Sequence, residues 1–512
     1  MSGTALRVFP GAYRDSLLLL NATRTMQDSA GVSWASAAMA TQANVDHLTG
    51  LGFARDDLAG ADANALVLAV RAAGKAEADE ALDRGWTALS AAAGPPRGEP
   101  GRPEPRTVSE AAADMPEATV AIVSVPGPYA AIAAHSALSA GLHVLLFSDN
   151  VPLEDEVALK ERAGRLGLLV MGPGAGTAVI GGVGLGFANA VRPGPVGVVA
   201  AAGTGAQEVM SLLDRWDIGV SQVIGVGGRD LSAAVGGLMA RDAVRALDAD
   251  PGTEVILLVS KPPDAGVASA VISASKATPV VAVCLGMSAA DGLLAGAPLA
   301  ATLDQGALRA ASILGRPVPD LTGGLDGVAA HTGRLAATRT AVRGFFTGGT
   351  LCYESQVVLG ESAGPVYSNI PLRPELGLPA PQGAHVCLDL GEEEYTKGRP
   401  HPMIDPAARN EIMCSQAFAE DIAVVLLDVV LGYGSHPDPA GEIAGTCADI
   451  AASGAAVVAY VLGARADPQG LDRQRRTLRD AGAVVTDSAA QAARAAAAIA
   501  SRRPELAAAV RG

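Results

Sequence analysis

Short apolar runs alternate with longer amphipathic stretches along almost the whole chain, the pattern of strands feeding helices. Near the start, residues 16–20 (SLLLL) read as a strand leading to NATRTMQDS. Residues 32–40 (VSWASAAMA) read as a second strand, and residues 65–72 (ALVLAVRA) as a third that leads to EADEALDRGWTALSAAA. Three strand–helix steps predict a small α/β sandwich over residues 1–93. The stretch 94–106 (GPPRGEPGRPEPR) supports neither regular structure and is a linker. From 107 to 192, strands at 119–125, 142–147 and 167–171 alternate with helices at 129–140 and 153–166, half of a doubly wound sheet. From 193 to 310, strands at 196–201, 221–226, 255–260 and 279–285 give a flavodoxin-like order, with a helix at 206–216. Periodicity is weak between 286 and 340, and a connection is set at 311–335. The last unit, 336–512, opens with a helix-like 340–346, a turn at 347–350 and a helix at 351–358. Strands at 385–390, 423–430 and 455–461 follow, and an Ala-rich helix at 488–501 closes it. The fold class is multidomain α/β.

Composition narrows the packing. Hydrophobic residues make up 49% but aromatics only 3%, so the cores are built of Ala, Val, Leu and Ile, as in parallel sheets covered by helices. The net charge of -15 comes without any stripe of Lys and Arg, which argues against nucleic acid and anionic membrane as partners. It does not argue against anionic ligands, since backbone N–H groups at helix starts bind phosphate without basic side chains. The five cysteines, Cys284, Cys352, Cys387, Cys414 and Cys447, form no CxxC and read as reduced thiols. The first residues lack a basic segment followed by an apolar one, and the other apolar runs have strand length. A cytoplasmic protein is expected.

Glycine turns carry the candidate chemistry. In AAGTGAQEV, a Val-rich strand runs into Gly203-Thr204-Gly205 and a helix starts at once. Glycines admit a ligand to the backbone, and the first helical N–H groups point at it with about half a positive charge. Glu208 lies in the first turn. After the next strand, Gly227-Gly228-Arg229 stands at the same sheet edge, where Arg229 offers a fork to phosphate or carboxylate unless a nearby acid such as Asp230 pairs with it. Pro126-Gly127 ends the strand 119–125. The stretch GPGAGTAVIGGVGLGFAN, which begins at Gly172-Pro173, is too glycine-rich for regular structure and reads as a loop wrapping a ligand or the next domain. Two polar loops follow buried strands near the end: YTKGRPHPMIDPAARN and GYGSHPDP. If strands 385–390 and 423–430 are neighbours, these loops bring His401, Asp405, His436 and Asp438 to the mouth of one pocket, the residue types that position a substrate and move a proton. No metal site is expected, because no second ligand has helical or CxxC-type spacing.

Those stretches, with SKPP and LLDVVLGYGSHPDPAGE, resemble the FdrA family within the succinyl-CoA synthetase superfamily, over nearly the whole chain and in the family's order. The resemblance implies a Rossmann-like CoA-binding-type domain at 107–192, a flavodoxin-like ligase-type domain at 193–310 and a second one at 336–512. It implies ligand contact at Pro126, Gly127, Gly172 and Pro173. It also makes Gly348-Gly349-Thr350, with Glu354, the counterpart of Gly203-Thr204-Gly205 with Glu208, each helix holding a phosphoryl group. Arg229, Arg399 or Arg409 would hold a carboxylate.

Three departures shape the functional expectation. The superfamily's phosphorylated histidine belongs to the loop after strand 279–285, which here reads CLGMSAADG, and His331 is a poor substitute. No ATP-grasp domain is recognisable, so the chain is not expected to load a nucleotide phosphate alone. Gly174, Ala175 and Ala202 replace polar residues expected of the family. FdrA proteins resemble one subunit of an oxamate carbamoyltransferase of purine nitrogen catabolism, which works with partner polypeptides. The leading expectation is therefore an FdrA-like subunit of a carbamoyl- or acyl-transferring complex. The alternative is a subunit of an NDP-forming acyl-CoA synthetase, and a further one is a non-catalytic scaffolding subunit. The ligands expected are CoA, carbamoyl phosphate or phosphate, and acyl phosphate or acyl-CoA. No tightly bound cofactor is expected.

Overall fold

The strand Leu66–Ala72 is apolar at every position but Arg71, because both of its faces are covered. The computed structural model describes residues 3–92, 105–287 and 293–508, apart from 13, 15, 59, 63, 318, 319, 322–324, 326 and 398. Most of the linker at 94–106 and the end of the CLGMSAADG loop lie outside the described residues. The chain is a multidomain α/β protein in two compact units, Met1–Arg106 with Glu393–Pro400, and Thr107–Glu392 with His401–Gly512.

In the first unit, Leu66–Ala72 is the middle strand of an antiparallel sheet, between Gly3–Phe9 and Val32–Met39. Leu66, Leu68 and Val70 pack under the helices Ser16–Gln27 and Lys75–Ala92, while Val67 and Ala69 face Leu48, Phe53 and Leu58 on the other side. The two-residue period of a strand makes this division. Two expectations fail here. Residues 16–20 open a helix, because unbranched-at-Cβ leucines favour helix and strands favour β-branched residues. The sheet is antiparallel, and its first strand is the Gly3–Phe9 segment that the apolar pattern did not single out.

The second unit holds three sheets among its described residues. Val120–Val123, His143–Leu146 and Val170–Met171 form a parallel trio. The next sheet has eight strands in the order Leu293–Leu294, Ala297–Ala300, Val280–Cys284, Val255–Ser260, Pro193–Ala200, Val220–Gly225, Thr177–Ile180 and Val183–Gly186. The last two are an antiparallel hairpin, so the glycine-rich stretch expected as a loop holds two short strands. Gly181 and Gly182 have φ of 58° and 80° at its tip, the backbone that two-residue hairpins need. The third sheet is parallel, in the order Val366–Ser368, His385–Asp389, Ala341–Phe346, Ile422–Val430, Ala456–Leu462 and Val484–Thr486.

This order corrects two further expectations. The helix-like 340–346 contains the central strand Ala341–Phe346, buried throughout except at Arg343, whose charge breaks the apolar run. That strand also separates His385–Asp389 from Ile422–Val430, so the two polar loops do not leave neighbouring strands. The weakly periodic 286–340 contains the strand Ala297–Ala300 and the half-buried helix Leu303–Ile313. The Ala-rich helix Ala489–Ala500 is buried at all twelve positions, as expected of a helix that is apolar all round.

Strand order fixes where ligands can enter. After Pro193–Ala200 the chain builds on one side, to Val220–Gly225, and then on the other, to Val255–Ser260. After Ala341–Phe346 it does the same with His385–Asp389 and Ile422–Val430. Both strands are switch points, and the crevice outside the carboxyl ends of such strands is where open α/β sheets take ligands.

Candidate functional site

Each switch-point strand leads, after two residues, into a helix that opens on glycine: Gly203–Arg215 after one, Gly349–Ser362 after the other. The two helix starts meet. Thr350 N–H donates to Thr204 Oγ1 at 3.2 Å. A Cβ on Gly348 would lie 2.9 Å from Thr204 Cγ2, and one on Gly205 would lie 3.0 Å from Thr350 Cγ2. Any larger residue at either position would push the turns apart.

The starts differ in how their N–H groups are used. Ala202, the residue before the first helix, is extended (φ −152°, ψ 108°) and gives no side-chain cap, and Gly203 is exposed. Four backbone donors at a helix start normally need partners, so this start is open to an anion. The second has no side-chain cap on its first helical N–H groups either, but Thr350 N–H is taken up by Thr204 and the turn before it is held from outside. Asp428 accepts from Thr347 N–H at 2.8 Å and Gly348 N–H at 2.8 Å, and Asp389 Oδ2 lies so close to Gly349 that a Cβ there would collide with it.

Four residues below each threonine stands a buried glutamate. Glu208 Oε1 accepts from Ala489 N–H at 3.3 Å, and its Oε2 accepts from the Tyr460 hydroxyl at 2.5 Å. Glu354 Oε1 accepts from Leu303 N–H at 2.7 Å. Each glutamate thus accepts from the first N–H of a helix belonging to the other sheet, and both face the seam between the sheets rather than solvent. Burial raises Glu208 to about 7 and pushes Glu354 well above the usual carboxylate range.

A neutral Glu208 has a consequence for pH. Its folded value exceeds the ordinary one, so the folded state holds a proton that the unfolded chain releases. That stability is full below about 4.5 and is lost as pH rises through about 7. Glu208→Gln keeps an acceptor for Ala489 N–H and cannot ionise. It should raise the thermal midpoint at pH 8 relative to the wild type, with little change at pH 5.5. Parallel melting curves at both pH values would refute this.

A second group of side chains lies beside the seam. Lys261 follows the strand Val255–Ser260, with its Nζ 5.8 Å from the centre of the Tyr353 ring. Asp389 ends its strand with 4% exposure. Burial raises it to about 7, against the lowering effect of Lys261. His401 Nε2 and Asp389 Oδ1 approach the position of a Gly391 Cβ at 2.5 and 3.2 Å, which places the two side chains together. The His401 ring lies 6.3 Å from that of Phe187, and burial lowers it to about 4, so it is neutral at ordinary pH. Neither Asp389 nor Asp428 was singled out from sequence. Their signal was an acid inside or ending an otherwise apolar strand, CLDL and LLDVV.

The other expected site residues have partners of their own. The two polar loops touch through His436 N–H and Met403 C=O at 2.8 Å. Beyond that contact their side chains have different work. Asp405 accepts from Ala407 N–H at 3.1 Å and caps the helix Ala407–Gln416. His436 Nδ1 accepts from Asp438 N–H at 3.1 Å. Asp438 accepts from Arg473 Nη1 at 3.1 Å and Gln474 Nε2 at 2.7 Å. Arg409 is buried against Asp428, and Arg399 is exposed. Arg229 is held by Glu156 at 2.9 Å and Val151 C=O at 2.7 Å, the paired state weighed from sequence, with Glu156 in place of Asp230. Gly228 is exposed beside the first start, whereas Gly227 (φ 87°) packs on Gly172-Pro173. Gly127 packs against the backbone of Asp149 and Asn150 at the start of Gly127–Ser139. His331 sits in the helix Val328–Arg334. Burial raises Cys284 and Cys387 to about 12 and Cys352 well above the usual thiol range, so these are not thiolates.

Residues 345–499 match the CoA-ligase family, residues 191–286 the CoA binding domain, and residues 1–104 the AllF, heavy metal-associated domain. The chain is 38% identical over 494 residues to the uncharacterized protein YahF of Escherichia coli (strain K12), spanning 94% of this chain and 95% of that one. The chain belongs to the YahF family. It is also 30% identical over 223 residues to the malate–CoA ligase subunit alpha of Methylorubrum extorquens, 41% of this chain and 74% of the relative. To the succinate–CoA ligase [ADP-forming] subunit alpha of Methanothermobacter thermautotrophicus it is 28% identical over 158 residues, 30% of this chain and about half (52%) of the relative. The architecture of this YahF relative is thus succinyl-CoA-synthetase-like, and the CoA-binding match falls on the eight-stranded sheet that carries Gly203. The N-terminal match raises the question of a metal. Residues 1–104 contain no cysteine and one histidine, His47, which does not fit a thiolate site. Among the described residues, no three His, Cys, Asp or Glu side chains are grouped to hold a metal ion, and no helix is long and apolar enough to cross a membrane.

Proposed function

We propose that the chain is a subunit of a CoA-ligase-type complex that transfers an acyl group between an acyl phosphate and CoA. In the ligase direction the thiol sulfur of CoA bonds to the acyl carbon, the acyl–oxygen bond breaks, and phosphate leaves. The observation that supports this most is the meeting of two glycine helix starts, one from each ligase-type sheet, at the switch points of both. The uncapped N–H groups at Gly203–Gly205 would hold the phosphoryl end, and the charge on the leaving phosphate is what they would stabilise. The relatives' names describe subunits, and a partner with an ATP-grasp fold would complete the ligase.

One sequence feature favours a second reading. The loop Cys284–Gly292 has no histidine to carry a phosphoryl group. A transfer that needs phosphate cradles but no phosphohistidine fits this chain, and exchange of a carbamoyl group between oxamate and carbamoyl phosphate, as the FdrA resemblance implies, is one such reaction.

Both readings expect no phosphate on the isolated chain after incubation with labelled ATP, and an acid-labile, base-stable label would overturn that expectation. Thermal shift separates them. Stabilisation by CoA supports the ligase reading, stabilisation by carbamoyl phosphate without CoA supports the second, and a shift with neither ligand would count against both.

A further inference from the structure

Arg229 and Arg409, two of the groups expected to hold a carboxylate, are each paired with an acid, at 2.9 and 3.2 Å. Lys261 is not. It stands just past the end of Val255–Ser260, the strand that pairs with the switch-point strand Pro193–Ala200, and so at the edge of the sheet where ligands enter. Its ammonium makes no hydrogen bond or ion pair among the described residues, although the chain carries a net charge of -15. What it meets is the ring of Tyr353, 5.8 Å from the centre, within the range of a cation–π contact. The Tyr353 hydroxyl also has no hydrogen-bond partner among the described residues. Both side chains extend the line on which the two helix starts meet. A Cβ on Gly205 would lie 3.0 Å from Thr350 Cγ2 and 3.0 Å from Val259 Cγ1. Tyr353 is three residues past Thr350 on its helix, and Lys261 two residues past Val259 as the chain leaves its strand, spacings that keep each pair on one face. A Cβ on Gly286 would lie 3.4 Å from Tyr353 Oη, so the phenol closes against the loop after Val280–Cys284.

We propose that Lys261 and Tyr353 form an anion subsite at this seam, the Lys261 ammonium and the Tyr353 hydroxyl each donating a hydrogen bond to an oxygen of a phosphoryl group. The proposal deepens the acyl-phosphate reading given above and rests on it. It names the two side chains that contact the phosphoryl end of the substrate. A helix start supplies only about half a positive charge. A lysine supplies a full one, with three donors, to meet the charge on the departing phosphate. The neighbours leave the ammonium available. Lys261 lowers Asp389 from beyond ion-pair distance, while burial, the larger effect, raises that carboxyl to about 7. Burial also raises Tyr353 above its ordinary value, so its hydroxyl keeps the proton that it donates. The ring holds the ammonium in place before the ligand arrives, which spares part of the side-chain entropy that a lysine loses on binding.

The test is inorganic phosphate binding to the full chain by calorimetry, at a fixed salt concentration of about 0.15 M. Lys261→Met keeps an unbranched stem over the ring and removes the charge. It should weaken binding about 10- to 100-fold, the effect of losing a hydrogen bond between charged groups. Tyr353→Phe keeps the ring, removes one oxygen and should weaken binding about tenfold. It also keeps the proposal testable should Lys261→Met lose its fold. Lys276→Met is the control. That lysine is exposed and its ammonium is bonded to Ser273 C=O at 2.7 Å, so removing the same charge there should leave affinity nearly unchanged. Wild-type affinity in Lys261→Met or in Tyr353→Phe overturns the subsite while leaving the acyl-phosphate reading in place. An equal loss in Lys276→Met also overturns it, because long-range charge then accounts for the effect. Absence of phosphate binding to the wild type overturns the reading on which the subsite rests.

Discussion

Asp428→Ala should destabilise the Thr107–Gly512 part of the chain by about 3–5 kcal/mol, the usual cost of stranding one partner of a buried ion pair. Arg409 and Asp428 are each 1% exposed. Arg409 Nη1 donates to Asp428 C=O at 2.6 Å and to its Oδ1 at 3.2 Å. Without the carboxylate, the guanidinium keeps one carbonyl and no counter-charge, and its Nε has no partner to begin with. The Thr347 and Gly348 N–H groups would lose their acceptor in the same step, releasing the turn that meets Thr204. Urea unfolding followed by far-UV circular dichroism gives the change in midpoint. Asp428→Ala combined with Arg409→Met should recover part of the loss, because it removes the stranded buried charge. A loss under about 1 kcal/mol for the single variant, or no recovery in the double one, would show that the pair does not hold this turn.

The apolar runs announced most of this architecture, because a strand buried on both faces cannot conceal itself. Pro193–Ala200, Val255–Ser260, Val280–Cys284 and Ile422–Val430 all lie within a residue or a few of where hydrophobicity places them. What hydrophobicity lacks is lateral order. Nothing in HVCLD or IAVVLLDVV says that Ala341–Phe346 stands between them, and the expected pocket of His401, Asp405, His436 and Asp438 depended on their being neighbours. Direction is equally hidden. Glu208 was expected in the first turn, with Glu354 as its counterpart, but each is the sixth residue of its helix, past the first turn, and a position four residues below Thr204 or Thr350 points into whatever packs there. Here that is the start of another helix. The strand acids Asp389 and Asp428 were visible as interruptions. Their significance came only with the fold, which carries both to one helix start.

The open helix start can be tested without disturbing the rest. Gly203→Pro should weaken sulfate or phosphate binding about 10- to 100-fold, the effect of losing one hydrogen bond to a charged group worth about 1.5–3 kcal/mol. The substitution is unusually well suited to its position. Gly203 opens the helix, where proline is favoured because its missing N–H has no helical partner. Ala202 before it is already in the extended region that a following proline requires. A Cβ at 203 meets nothing closer than Thr177 Oγ1 at 3.8 Å. The thermal midpoint should therefore hold or rise slightly, since proline in a compatible backbone stabilises by about 0.4–1 kcal/mol through the unfolded chain. Thr204 and its contact with Thr350 remain in place. Weakened binding with an intact midpoint locates the anion at this N–H. Unchanged binding with an intact midpoint moves it elsewhere along the seam, and the open turn would then be only the way the first ligase-type helix packs against the second.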